Sequence, residues 1–277
     1  MPSGEKATAA PTWPPLPLIG SRQMTLSAVN AGVASVVFDR PAARNAMTWS
    51  MYERLNEICE QLKADASVRV VTFRGAGGQA FVAGTDIEQF TTFTSGEDGV
   101  AYEKQIDQCI ARLESLPMPT VAAVEGWTIG GGLAIATACD FRIATAGSRF
   151  GVPIAKTLGN CLSVANLARL TSVFGVPRVK RMLMLAEVLS ADEALACGFL
   201  LQLVEPGEMD ATLGKLCERL SVLAPVTQRV TKEGLRRLVN DTLPPDEDLI
   251  RRCYGSADFH EGVSAFVGKR SPAWTGA

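Results

Sequence analysis

The sequence has one histidine, His260, in 277 residues. That excludes any mechanism needing two, including an HExxH zinc site or a histidine-rich metal cage. A Ser-His-Asp triad would have to use His260. No CxxC occurs among the seven cysteines, which are odd in number and widely spaced (Cys59, Cys109, Cys139, Cys161, Cys197, Cys217 and Cys253). This fits reduced, mostly buried thiols in a cytoplasmic protein better than a disulfide framework. No apolar run reaches the length of a membrane span. The N-terminus lacks the basic region and apolar core of a secretory signal. Excess charge is also missing. The 27 Lys+Arg against 29 Asp+Glu leave a net charge of −2. There is no basic stripe to suggest nucleic acid and no electrostatic reason for an anionic membrane as partner.

What is present is a chain of 47% apolar and only 20% charged residues, which reads as a packed globular protein with a sizeable core. Residues 1–22 are proline-rich and are expected to form an extended, poorly ordered tail. Gln23–Val29 and Val33–Phe38 partly alternate around Asn30-Ala31-Gly32, the pattern of a hairpin. Met51, Leu55, Ile58, Cys59 and Leu62 recur at helical spacing over Thr48–Leu62, with Ser50 and Glu53 as a capping box. Val68–Phe73, Thr120–Val124 and Cys139–Ala144 read as strands. After Leu158 the pattern is helical almost without interruption, with a capping box at Ser190–Glu193 and a stop at Gly198. Strands alternating with helices and then a helical third predict an α/β protein.

Two loops carry the candidate chemistry. The strand at Thr120 runs into Gly130, Gly131 and Gly132 and then into a helix of small apolar residues. Glycines let a ligand approach the backbone, and the first N–H groups of a helix are free donors. Phe81-Val-Ala-Gly-Thr85-Asp-Ile87 can aim a second N–H at the same point. Two such donors suit an oxyanion that develops during reaction. GxGxxG spacing is absent, so this is not a dinucleotide fingerprint.

Four segments in this order resemble the crotonase (enoyl-CoA hydratase/isomerase) superfamily. They are Asp39–Met47, Phe81–Ile87, Ala122–Asp140 and Ser256–Gly276, and the similarity spans about residues 23–276. The resemblance implies a spiral of ββα turns over 23–205 and a helical trimerisation region over 206–277. It also implies a homotrimer or homohexamer, with an acyl-CoA thioester as substrate. Coenzyme A would be part of the substrate, with no separate cofactor or metal. The N–H groups of Thr85 and Gly131 would hold the thioester oxygen as an enolate forms. Arg44 and Lys269 or Arg270 would meet CoA phosphates, and Ala46 and Ala83 would line the adenine and pantetheine path. Asp86 and Ile87 belong to the same loop, and Asp86 and Glu125 look like acids that tie loops.

The sequence departs from the family's hydratases at both water-activating glutamates. Ala134 stands three residues after Gly131, and Ile154 ends Phe150-Gly-Val-Pro-Ile154. Neither side chain transfers a proton, so ordinary hydration is not expected. Nearby remain Lys156, Asn160, Cys161, Ser163 and Asn166. Other superfamily members, among them a dehalogenase and a malonyl-type decarboxylase, place a functional acid or tyrosine there. Decarboxylation needs no base, because loss of CO₂ leaves the enolate directly. Asn160 would then orient the carboxylate, and Cys161 would serve as acid or nucleophile if its pKa were low enough. Glu103 and Asp107 are candidate acids on a mobile helix behind a flexible Thr94–Gly99 entrance. A non-catalytic acyl-CoA-binding subunit is the alternative reading.

Overall fold

The structure, a computed structural model, describes residues 23–240, 243 and 245–275. The tail expected over 1–22 lies outside the described residues. The chain opens with strands β1 (Met24–Leu26) and β2 (Val33–Phe38), paired antiparallel with Met24 opposite Phe38. Asn30 and Val33 exchange hydrogen bonds of 3.0 and 2.9 Å, and Gly32 takes a φ of +78° that a side chain would strain. The expected hairpin is therefore present.

Helix α1 (Trp49–Ala64) buries Met51, Tyr52, Leu55, Ile58, Cys59 and Leu62, the face its spacing predicts. Its cap differs from expectation. Thr48, extended at ψ 166°, accepts the Met51 N–H, and Ser50 lies inside the first turn bonded to the Thr48 hydroxyl. The residue before the first helical φ/ψ holds the capping position, and that residue is Thr48.

Strands then come in pairs: β3 (Val70–Gly75) with β4 (Ala80–Val82), β5 (Thr120–Val124) with β6 (Trp127–Ile129), and β7 (Phe141–Thr145) with β8 (Arg149–Gly151). The first of each pair joins a six-stranded sheet, the second a four-stranded one. A helix follows each pair: α2 (Gly96–Glu114), α3 (Gly131–Ala138), then α4 (Ile154–Thr157) leading into α5 (Val164–Met184). This is the expected ββα spiral. The parallel strands β3 and β5 are buried along nearly their whole length, as strands covered on both faces are.

The region after Leu158 is less purely helical than expected. It holds α6 (Ala191–Ala196), α7 (Met209–Ser221), α8 (Pro225–Asn240), α9 (Glu247–Tyr254) and α10 (Ala257–Val267). It also holds β9 (Val188–Ser190) and β10 (Gln202–Val204), which take the edges beside β8 and β7. Three-residue strands show too little alternation to be read, and the existing sheet edge supplies their partners. Ser190 caps α6 by accepting the Glu193 N–H at 3.2 Å, as its sequence predicts.

The Thr94–Gly99 segment, expected as a flexible entrance, leads into the first turn of α2. Ser95 and Asp98 form a capping box that starts α2, and α2 lies along α9. A Cβ on Gly99 would sit 2.2 Å from the Tyr254 ring, so this glycine serves close helix contact.

Candidate active site

The two glycine-bearing loops meet at a cavity of ≈180 Å³. After β4, the Met47 N–H donates to Gly84 (2.9 Å) and the Asp86 N–H donates to Met47 (2.8 Å). Successive residues in such a bridge face opposite sides, so the Thr85 N–H turns away from Met47. Gly131 opens α3, where the first N–H groups have no acceptor inside the helix. Its neighbour Gly130 holds a φ of +53° that favours glycine. A Cβ on Gly131 would stand 2.4 Å from the Tyr52 hydroxyl and 3.2 Å from that of Thr85. The space between the loops thus admits backbone only.

Three hydroxyls converge there. Thr85 Oγ1 is 2.8 Å from the Tyr52 hydroxyl and 3.2 Å from that of Tyr102. Burial pushes both phenols above their ordinary pKa, so they stay neutral. Ala134 and Ile154 line the same cavity and add no polar group to this wall.

The facing wall is different. Glu103, on α2, lines the cavity and is only 2% exposed. Tyr254 at the end of α9 donates its hydroxyl to Glu103 Oε1 at 2.6 Å, and the Ser163 N–H donates to Oε2 at 3.1 Å. Burial pushes the Glu103 carboxyl up to about 8, against the pull of those two hydrogen bonds. Asn160 donates from Nδ2 to the Tyr254 hydroxyl at 3.3 Å, while its Oδ1 is buried without a partner. Thr137 Oγ1, also in the cavity lining, is buried and unpartnered. Asp107, one turn further along α2, accepts from the Ser163 hydroxyl at 2.8 Å and pairs with Arg169 at 3.4 Å. Burial raises its pKa too.

The structure brings Thr85, Gly131, Ala83, Ile87 and Asn160 to one cavity. Cys161 is not in its lining; the neighbouring Cys253 thiol and burial hold the Cys161 thiol far above the ordinary range. That is the wrong direction for a thiolate nucleophile. Asp86 pairs with Arg40 at 2.7 Å and caps a 3₁₀ turn, and Glu125 pairs with Arg74 at 2.9 Å, so both tie loops. Arg44 is exposed, with its carbonyl accepting from the Ala83 N–H at 3.0 Å; Ala46 is half-buried. Lys269 and His260 are exposed, and Arg270 is bound to Glu261. Among the described residues, no group of three or more His, Cys, Asp or Glu is placed to hold a metal ion. No helix among them is long and apolar enough to cross a membrane. Sequence reading missed the tyrosines. The chain has three, and all of them border this site.

The model of the enoyl-CoA hydratase/isomerase family matches residues 28–277. The chain belongs to that family. It is 31% identical over 242 residues to the short-chain-enoyl-CoA hydratase of Clostridium acetobutylicum, which covers 86% of this chain and 92% of that one. It is also 31% identical to the 1,2-epoxyphenylacetyl-CoA isomerase of Escherichia coli, over 92% of this chain and 99% of that one. A solved methylmalonyl-CoA decarboxylase bound to 2-nitronate-propionyl-CoA superposes with a TM-score of 0.84 at 26% identity. That match covers 93% of this chain and all of the other. Family membership and these likenesses fit the ββα spiral of the crotonase fold.

Proposed function

We propose that the protein is an enzyme that binds an acyl-CoA thioester with its carbonyl oxygen between the N–H groups of Thr85 and Gly131 and passes through an enolate. The observation that carries this is the room for backbone alone at Gly131, beside Thr85, in the lining of one cavity. Donors fixed in advance at that oxygen stabilise the charge as it develops. Loss of one costs about 3 kcal/mol.

Ordinary hydration is not the reaction proposed. Ala134 and Ile154 stand where the family's hydratases carry glutamates, and neither can activate water. The apolar wall they form favours a second, narrower reading: decarboxylation of a malonyl-type acyl-CoA. There the bond from the α-carbon to the carboxylate breaks, its electron pair becomes the enolate, and CO₂ leaves. An apolar surface beside the departing carboxylate suits that step, and the second Nδ2 N–H of Asn160 would orient the group. The likeness in shape to a methylmalonyl-CoA decarboxylase supports this reading. Arg44 and Lys269 would contact the CoA phosphates, and Ala46 and Ala83 its path into the cavity. Coenzyme A is then part of the substrate and no other cofactor is needed. We further propose a homotrimer or homohexamer, with an interface over α8, which leaves Val226, Val230 and Leu238 exposed.

The test is turnover of crotonyl-CoA, a 3-enoyl-CoA and methylmalonyl-CoA by the purified protein. Decarboxylation without hydration is expected. Hydration of crotonyl-CoA at ordinary enzyme rates contradicts it. Tight binding with no turnover across the panel favours a non-catalytic binding subunit.

A further inference from the structure

We infer that Glu103 is the group that exchanges a proton with the α-carbon of the bound thioester, and that Tyr254 is its positioning residue. This rests on the enolate reading above.

Three observations carry it. Glu103 lines the cavity that Thr85 and Gly131 line, so it shares the substrate's space. Both of its hydrogen-bond partners are donors to it, Tyr254 to Oε1 and the Ser163 N–H to Oε2. A protonated carboxyl therefore has its own O–H still to give, and neither partner takes it. No ion pair among the described residues includes Glu103; the nearby Arg169 is held by Asp107 at 3.4 Å and Glu114 at 3.2 Å. A buried carboxylate without a cation is costly, so the neutral acid is the resting form near neutral pH. The groups facing it reinforce this. Asp107 on α2 and Asp246 before α9 add negative charge, while Tyr102 and Tyr254 stay neutral.

The step balances. The Glu103 O–H bond breaks as a C–H bond forms at the α-carbon. The enolate's C=C pair makes that C–H bond, and an oxygen lone pair re-forms the thioester carbonyl. Glu103 is left as a carboxylate held by Tyr254 and the Ser163 amide, and it regains its proton from solvent. The reverse step removes an α-proton from a saturated acyl-CoA.

That reverse step gives the test. Full-length protein is incubated with butyryl-CoA in D₂O, and deuterium at the α-carbon is followed by NMR. The wild-type rate should rise with pH and level off above about 8 as the carboxylate fills. Glu103→Gln should lower it at least ~100-fold, with butyryl-CoA binding by calorimetry intact and a melting temperature no lower than that of wild type. Glu103→Asp should restore part of the rate. Tyr254→Phe should move the pH midpoint upward, because the lost hydrogen bond favours the carboxylate. A structural tie alone would not move it. Infrared difference spectra of the free protein between pH 6 and pH 10 should show a protonated carboxyl band that Glu103→Gln lacks. If Glu103→Gln exchanges at the wild-type rate, the assignment fails while the enolate reading stands. If wild type shows no exchange but the infrared band titrates, the enolate reading fails and the proton-transfer role falls with it.

Discussion

The two walls of the cavity are built by different means. One is backbone: Gly131 and Thr85 come from loops that follow short strands, backed by Ala134 and Ile154. The other is side chain: Glu103, Tyr254 and Asn160 come from α2, the end of α9 and the turn before α5. In the proposed reaction the backbone wall holds the developing negative charge. The side-chain wall holds the acid that can discharge it. On the proposed reading, a reaction without carboxylates at Ala134 and Ile154 needs a proton donor elsewhere, and the buried Glu103 carboxyl opposite is the one proposed.

Removing the backbone donor should have the largest effect. Gly131→Pro deletes one N–H at a position where proline suits helix geometry. Turnover of whichever thioester is active should fall about 100- to 1,000-fold, measured as kcat/KM with helix content checked by circular dichroism. Its ring also meets the Tyr52 hydroxyl, so Gly131→Pro with Tyr52→Phe separates the lost donor from crowding. Recovery of activity in that double variant would remove Gly131 from the backbone wall's role.

Next comes the contact that sets the side-chain wall. Gly99→Ala places a methyl 2.2 Å from the Tyr254 ring and must push α9 away from α2. We expect a loss of about 1–3 kcal/mol in stability by denaturant titration. Tyr254 should also draw away from Glu103. A variant as stable as wild type would mean the two helices do not meet as described.

The charge state of the side-chain wall gives a pH-dependent effect that is small over any one pH unit. The Glu103 pKa is raised above its unfolded value, so its contribution to stability is complete below about pH 4.5 and lost as pH rises to about 8. Across that window the folded state binds the extra proton, and stability falls by up to about 1.4 kcal/mol per pH unit from this group. Glu103→Gln should abolish that slope relative to wild type in paired urea titrations. Equal slopes would place the carboxylate, not the acid, in the folded protein at neutral pH. Cys161→Ser should do least, with turnover within about twofold of wild type, since a buried thiol held protonated behaves as packing.

How much of this was legible in the sequence follows the same division. The backbone wall is local. Glycine runs at strand ends, such as Gly130–Gly132 after β6, declare a close approach wherever they occur, and their partner loop has its own motif around Thr85. The hairpin at Asn30–Gly32 and the helix at Thr48 are local too. The side-chain wall is not. Glu103 and Tyr254 are 151 positions apart and meet only because α9 lies along α2. The sequence marks Glu103, with Asp107, only as a candidate acid on a helix, with no sign of the partner that positions it. Gly99 reads as a flexible residue until Tyr254 is seen against it. Cys161 sits in the right segment of the chain, yet its side chain is turned from the cavity toward Cys253.

The central claim is that the thioester oxygen lies between two backbone amides. Infrared spectroscopy of butyryl-CoA carrying ¹³C at the thioester carbonyl reads this directly. The account predicts that the labelled carbonyl band of the bound ligand lies below its position in water, and that Gly131→Pro with Tyr52→Phe returns it most of the way. A bound carbonyl at its aqueous position in the wild-type protein would contradict it.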